Sequence, residues 1–176
     1  MKIQKSIALE SIALASLLMG ASSLASAEIY LGGAIGSTNV STPGFEHSDT
    51  QKIFGGVRER FLGLEVAYVN FDDFFVEGSG GSQSINGDGL EASLVGFIPF
   101  GHQAELFGKV GVLNWTLDGN SGGSTFSTDD GSSFAYGVGL QLFPADHLSV
   151  RLEYQGFQDV SGGDLDAVTI GAALHF

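Results

Sequence analysis

Every second residue from Val168 to Phe176 is apolar, and the residues between them are small or polar. Side chains of a β-strand point alternately to opposite faces, so this period of two predicts a strand with one apolar face. An apolar outer face, a polar inner face and an aromatic residue at the edge are typical of a barrel that lipid surrounds. This segment therefore predicts a β-strand embedded in a membrane.

The same alternation, interrupted by Gly, Asp and Ser, recurs along the chain and predicts eight strands arranged as four hairpins. Long polar connections at residues 37–51, 72–88 and 116–132, and a shorter one at 156–164, alternate with tight turns. Short periplasmic turns and long external loops are typical of barrels in outer membranes. The predicted strands are residues 29–36, 52–58, 61–71, 89–98, 104–115, 133–142, 148–155 and 165–176.

Charged residues share one face of the central predicted strands. Glu105 and Lys109 lie on one face of their strand, whereas Leu106 and Val110 lie on the other. Charges are costly against hydrocarbon, so we predict that the uncharged face is the outer one. A buried Arg or Lys also needs a carboxylate partner. The pattern predicts an interior charge network of Arg58, Glu65, Glu91, Glu105, Lys109, Arg151 and Glu153.

Aromatic residues lie near many of the predicted strand ends. Those that face outward are expected to form girdles at the two membrane interfaces. Trp115 lies six residues after Lys109 in the same strand, so the two side chains share a face and the Trp115 ring is predicted to point inward. The residues concerned are Tyr30, Tyr68, Trp115, Phe134, Tyr136, Tyr154 and Phe176.

The first residues have the pattern of a secretory signal peptide. Lys2 and Lys5 precede a short apolar stretch at residues 11–20, and Ala25-Ser26-Ala27 offers a small-x-small cleavage site. The apolar stretch is about half of the roughly 20 residues that a spanning helix needs. We therefore predict a cleaved signal peptide at residues 1–27 and one barrel domain at residues 28–176.

Composition narrows the classes of function. The chain has 27 Gly, 3 Pro and no Cys, and 43% of its residues are hydrophobic, which argues against both a disulfide framework and disorder. Residues 28–176 hold 5 of the 7 basic and 19 of the 20 acidic residues, so their formal charge is −14. Such a charge repels a phosphate backbone, and nucleic-acid binding is excluded.

Three segments resemble strands of the outer membrane protein A transmembrane domain, and the similarity extends over residues 28–176. The C-terminal strand fits that family as well. Ending the chain on an aromatic residue resembles the C-terminal signature of bacterial outer-membrane proteins, which helps the assembly machinery to recognise them. The resemblance thus implies that Phe176 is an assembly signal. The segments are Phe61-Leu62-Gly63-Leu64-Glu65-Val66-Ala67-Tyr68, Leu106-Phe107-Gly108-Lys109-Val110-Gly111 and Val150-Arg151-Leu152-Glu153-Tyr154-Gln155.

The resemblance also implies roles for interior residues. In that family a network of Arg, Lys and Glu plugs the lumen and gates a narrow ion path. Glu65 and Arg151 match its central carboxylate–arginine pair, and Lys109 and Glu153 match supporting charges. The lumen of an eight-stranded barrel is narrow enough for side chains to fill. We therefore predict a static polar core, with a gated pore as the alternative.

Two interior positions depart from the family pattern. Val95 stands where some members have Lys, and Gln141 stands where they have Glu, although we include Gln141 in the predicted network. These departures argue against a gate that exchanges partners. Because the sequence stops at Phe176, no peptidoglycan-binding domain is expected.

The candidates for catalysis and metal binding are weak. His147 and Ser149 form a His-x-Ser pair that resembles outer-membrane lipid A deacylases, but the pair lies at a predicted periplasmic turn. Residues 118–129 match a calcium loop only in part, with Gly122 at the fifth position and Asp129 at the twelfth. The four His residues lack ligand spacing. No catalytic residue, metal or cofactor is predicted.

The sequence thus predicts an all-β protein, an eight-stranded antiparallel up-and-down transmembrane β-barrel. We expect a monomer in the outer membrane after Sec-type export, with a plugged lumen and a structural or surface-interaction role. Its expected partners are outer-membrane lipid, lipopolysaccharide and, during biogenesis, the barrel-assembly machinery. The alternatives are a gated ion pore, a lipid A hydrolase and a soluble periplasmic barrel, although interior charges argue against the apolar lumen that a soluble carrier needs.

Overall fold

The computed structural model describes residues 27–40, 48–78, 81–121, 124–160 and 163–176. Side chains are described for these residues except 40, 48, 72–78, 81–86, 117–121 and 124–129. The signal peptide, which falls almost wholly outside the described residues, stays a prediction. Within the described part of the chain, no helix is long and apolar enough to cross a membrane.

Eight antiparallel strands close into one barrel in chain order. The last strand pairs with the first, with Tyr30 opposite His175, so the sheet has no open edge. Closure satisfies the backbone hydrogen-bonding groups that hydrocarbon cannot solvate. The strands are β1 Glu28–Val40, β2 Ser48–Glu59, β3 Leu62–Gly78, β4 Gly81–Phe100, β5 Ala104–Ser121, β6 Ser124–Ala145, β7 Leu148–Val160 and β8 Gly163–His175. The predicted fold is confirmed.

The strands extend further than the sequence pattern predicted. Residues 72–88 and 116–132 were predicted as long polar loops, but β3 and β4 pair as far as Gly78 and Gly81, and β5 and β6 pair as far as Ser121 and Ser124. That prediction was wrong because ladder hydrogen bonds join backbone groups and continue where the apolar alternation ends. Two hairpins therefore project beyond the apolar part of the barrel.

The outer surface carries a belt of exposed apolar side chains. The exposed large apolar side chains of the barrel are 37–73% exposed, and a contiguous apolar surface of this extent is rare on a soluble monomer. A belt around the barrel matches the lipid-facing band of outer-membrane barrels. One member from each strand, in order, is Leu31, Ile53, Leu64, Leu94, Val110, Val138, Leu152 and Ile170.

Aromatic rings cover glycines on neighbouring strands. Each ring lies directly opposite its glycine, and a Cβ built on that glycine would meet ring atoms at less than contact distance. The missing side chain therefore makes room for the ring, which shields the bare backbone. Pairs of this kind in the described strands are Tyr30–Gly56, Phe54–Gly32, Phe107–Gly139, Trp115–Gly131 and Tyr136–Gly156.

Replacing Gly139 with alanine is expected to lower the free energy of unfolding by about 1–3 kcal/mol, because the added methyl group overpacks the site. Its Cβ would lie 2.5 Å from both the Leu152 carbonyl oxygen and a ring carbon of Phe107. Urea unfolding of the protein in lipid vesicles would measure the change. The control is Gly108→Ala, whose Cβ meets no atom closer than 3.8 Å. Equal losses in the two variants would contradict this packing account.

Candidate functional site in the barrel interior

A network of charged side chains fills the middle of the lumen. Its residues come from β2, β3, β4, β5 and β7 and are at most 3% exposed. The network combines three bases with three acids and is formally neutral, which limits the cost of placing charge in a low-dielectric interior. Its members are Lys52, Glu65, Glu91, Lys109, Arg151 and Glu153.

Lys109 is the centre of this network. Its Nζ atom lies 2.6 Å from Glu153 Oε1, 3.0 Å from Glu91 Oε1 and 3.5 Å from Glu65 Oε1. Lys52 Nζ lies 2.6 Å from the other oxygen of Glu153. Two ammonium groups therefore bracket one carboxylate, and one ammonium group connects all three acids.

Arg151 has both ionic and aromatic neighbours. Its Nη1 atom donates to Glu65 Oε2 over 2.7 Å, and Tyr30 donates its phenolic proton to the same oxygen over 3.0 Å. The guanidinium carbon lies 4.2 Å from the ring centroid of Phe107 and 4.7 Å from that of Phe54. Nε and Nη2 have no hydrogen-bond partner among the described residues. Cation–π contact partly replaces hydration for these groups.

Neutral side chains complete the coordination of Glu91. Ser93 donates to Glu91 Oε1 over 2.5 Å, and Gln155 donates through Nε2 to Glu91 Oε2 over 2.6 Å. With Lys109, these contacts give both oxygens of Glu91 a partner. A buried carboxylate satisfied in this way gains little by exchanging partners.

Apolar side chains close the lumen between the network and the short turns. Phe54, Phe97 and Phe107 are at most 3% exposed, and the Phe97 and Phe107 ring centroids lie 6.4 Å apart. Tyr30 meets Phe97 edge to face at 6.5 Å. These rings form a continuous layer beneath the charges.

A second apolar layer lies on the side of the long hairpins. Phe71 and Phe157 meet edge to face at 5.9 Å, and Leu113 has no exposed surface. Trp115 points inward, as its parity predicted, and donates its indole proton to Ser133 Oγ over 2.8 Å. The charges are therefore enclosed between two layers of packed side chains.

Arg58 and Glu105 lie apart from the central network, at the end of the short turns. Two parallel hydrogen bonds join them, from Nη1 to Oε2 over 2.6 Å and from Nη2 to Oε1 over 2.8 Å. Glu28 Oε2 lies 3.5 Å from Arg58 Nε. Gln141 is buried between Glu105 on β5 and Arg151 on β7, which are its register partners. Of the eight predicted network residues, five belong to the central network, Arg58 and Glu105 form a separate pair, and Gln141 is buried opposite Glu105 and Arg151.

A polar chain joins β1, β8 and β7 at the same end. Glu28 is hydrogen-bonded to His175 Nδ1, and His175 Nε2 lies 2.8 Å from Ser149 Oγ. The order acid–imidazole–hydroxyl is that of a hydrolase triad. Ser149 has no exposed surface, however, so this closed barrel gives a lipid ester no access to it.

His147 and Ser149, the pair noted in the sequence, have separate environments. His147 is exposed, and its Nδ1 atom lies 3.1 Å from the carbonyl oxygen of His175. Among the described residues, no group of three or more His, Asp or Glu side chains has the geometry of a metal site. The partial calcium match at 118–129 lies on side chains outside the described set.

Sequence reasoning missed two important interior residues. Lys52 lies six residues before Arg58 in β2 and therefore on the same face, so the alternation indicates an inward-facing Lys. Tyr30 was considered only as an aromatic residue at a strand end, but it lies inside and contacts Glu65. Phe176 lies on the outer face and is 73% exposed, and its backbone pairs with Ile29. Its role in assembly stays a prediction.

Solved structures with the same fold share little sequence with this chain. Neisserial surface protein A has a TM-score of 0.67 at 13% identity, and the N-terminal barrel domain of Pseudomonas aeruginosa OprF has 0.61 at 13%. The attachment invasion locus protein Ail of Yersinia pestis, solved with the heparin analogue sucrose octasulfate, has 0.59 at 16%. Each match covers 85% of this chain and 97% of the other.

At these identities the structural likeness shows the fold alone. No curated protein matches the chain in sequence. A family model described as the outer membrane protein beta-barrel domain matches residues 11–176. Because that match takes in almost the entire chain, the protein, an outer membrane β-barrel, belongs to the outer membrane protein beta-barrel domain family.

Proposed function

We propose that the protein is a monomeric barrel of the outer membrane with a sealed lumen and a structural or surface-interaction role. The observation that carries this proposal is the neutral charge network, buried between two layers of packed aromatic and aliphatic side chains. Conduction needs a water-lined path with sites that an ion can enter and leave. Side chains occupy that path here, and the charges already neutralise one another.

The projecting hairpins support a role at the cell surface. β3–β4 and β5–β6 continue beyond the apolar belt, at the end opposite the short turns. We propose that they meet lipopolysaccharide or partners outside the cell. Ail binds a polysulfated heparin analogue in its crystal structure. The charge of −14 over residues 28–176 disfavours such an anion here.

The same proposal includes the route by which the chain reaches the outer membrane. The basic and apolar start of the chain supports Sec-type export, with removal of residues 1–27. Phe176, exposed on the outer face of the barrel, would be read by the barrel-assembly machinery before the belt enters lipid. Outer-membrane lipid is then the principal partner of the finished barrel.

Planar-bilayer recordings test the sealed lumen. Protein purified from the outer-membrane fraction, with the gel mobility shift on heating that marks a folded barrel, is expected to give no discrete conductance steps. A porin added to the same bilayer serves as the positive control. Discrete steps from folded protein that change in Arg151→Ala would overturn the proposal and favour the gated pore.

A further inference from the structure

The β2–β3 turn carries an unusual cation. Residues 28–176 contain five Lys and Arg residues, all within the described part of the chain. Lys52, Arg58, Lys109 and Arg151 are directed into the lumen, where each pairs with a carboxylate. Arg60 is exposed and forms no ion pair with the described residues. Its positive charge is therefore available to a ligand outside the barrel.

The backbone at this position favours glycine. Arg60 has φ of 51°, in the left-handed region that L-residues with side chains rarely adopt. A hairpin turn usually places Gly, Asn or Asp at such a position. Residues held in such strained conformations are often found at binding sites, which is a reason to look for a ligand of Arg60.

The surroundings of the turn indicate a membrane interface. Phe61 is 53% exposed and Leu62 is 61% exposed, so the apolar belt begins directly after Arg60. Arg60 lies in the turn, two residues before Leu62, the first residue of β3, so we place its guanidinium group at the level of the lipid headgroups. Short turns of such barrels face the periplasm. The lipid leaflet next to Arg60 is therefore the periplasmic one.

A shallow apolar groove and an acidic side chain adjoin the turn. The groove has a volume of about 200 Å³, and its apolar lining is Val57, Leu62, Leu64 and Leu94. Glu59 lines it as well, together with Ala27, Arg58 and Gly63. Glu59 is exposed and shares the outward parity of Val57. Glu59, which lines the groove, is followed directly by Arg60, so an acidic and a basic residue lie in succession next to the groove.

We propose that this site binds a phospholipid with a phosphoethanolamine headgroup. Arg60 contacts the phosphate, Glu59 accepts hydrogen bonds from the primary ammonium group, and part of one acyl chain lies in the groove. A zwitterionic headgroup suits the paired charges better than an anionic one, which Glu59 would repel. This inference rests on the proposed placement of the barrel in the membrane.

Native mass spectrometry of the detergent-solubilised barrel tests the site. Phosphatidylethanolamine, phosphatidylcholine and diacylglycerol with identical acyl chains are titrated, and bound lipid is counted. We expect phosphatidylethanolamine to be retained about two- to fivefold better than phosphatidylcholine, the range of an exposed ion pair. Diacylglycerol lacks the phosphate and should bind least. Equal retention of the three lipids overturns the inference.

Two variants separate the headgroup contacts. Arg60→Gly removes the charge and suits the positive φ, so the barrel should fold and bind both phospholipids about two- to fivefold less well. Glu59→Gln should abolish only the preference for phosphatidylethanolamine. Asp146→Asn, at the exposed β6–β7 turn, is the matched control and should change nothing. Undiminished binding in Arg60→Gly overturns the inference.

The heat-dependent gel shift of the same samples distinguishes the two proposals. Protein without the shift is not a folded barrel and contradicts the proposed function. Shifted protein that binds the three lipids equally leaves the barrel in place and contradicts only the lipid site.

Discussion

Replacing Arg151 with alanine is expected to lower the free energy of unfolding by about 3–5 kcal/mol, because it leaves a buried carboxylate without its closest cation. Glu65 would keep the Tyr30 hydroxyl at 3.0 Å and Lys109 Nζ at 3.5 Å. Neither contact replaces the 2.7 Å bond from Arg151 Nη1. Urea unfolding in lipid vesicles, followed by tryptophan fluorescence and the gel shift, measures the loss.

A double substitution separates lost pairing from lost volume. Arg151→Met with Glu65→Gln removes both charges and fills most of the space, so it should recover more than half of the loss. Arg151→Met alone should remain close to the alanine variant, because Glu65 stays buried and underpaired. If the double variant is as unstable as either single variant, the ion pair does not explain the effect.

Replacing Leu152 with arginine is expected to cost about 2–4 kcal/mol, the penalty for a cation at the middle of the lipid-facing surface of a barrel. Leu152 lies between Arg151 and Glu153 in β7, but its side chain is 53% exposed on the opposite face. Adjacent residues of β7 therefore need opposite kinds of side chain, charged toward the lumen and apolar toward the lipid. Folding yield into vesicles and urea unfolding measure the cost.

The control is a residue on the same outer face of β7 that lies near the membrane interface. Leu148 begins β7 on the same outer face, at the short-turn end of the barrel, where arginine near the membrane interface should cost only about 0–1 kcal/mol. Similar costs at Leu148 and Leu152 would mean that no lipid surrounds the strand. A Leu152→Arg variant of unchanged stability would favour a soluble barrel.

The lipid-facing surface and the fold were predictable because both depend on a local period. Alternate side chains of a strand point to opposite faces, so one charged residue such as Lys109 identifies the inner face of its whole strand. Eight such segments, long enough in total to close, leave few arrangements that satisfy backbone groups in lipid. The family match and the closed sheet confirm that prediction.

Strand ends were less predictable for a physical reason. Beyond the lipid, side chains no longer need to alternate, but the hydrogen bonds of the ladder continue between backbone groups. Residues 72–88 and 116–132 consequently read as loops in the sequence, although they are largely strand. Shifts in register occur within both hairpins, at Phe71–Phe74 and at Asp118–Gly119, and the ladders continue beyond them.

The alternation along each strand predicts which of its faces lines the lumen, whereas the contacts between lumen-facing residues depend on how the barrel closes. Arg58 pairs with Glu105, whereas Lys109 contacts Glu65, Glu91 and Glu153. The alternation of side chains between two faces is a property of one strand. Contact across the lumen depends instead on the stagger of all eight strands when the barrel closes. The stagger depends on the pairing of all eight strands, so no local sequence pattern predicts it.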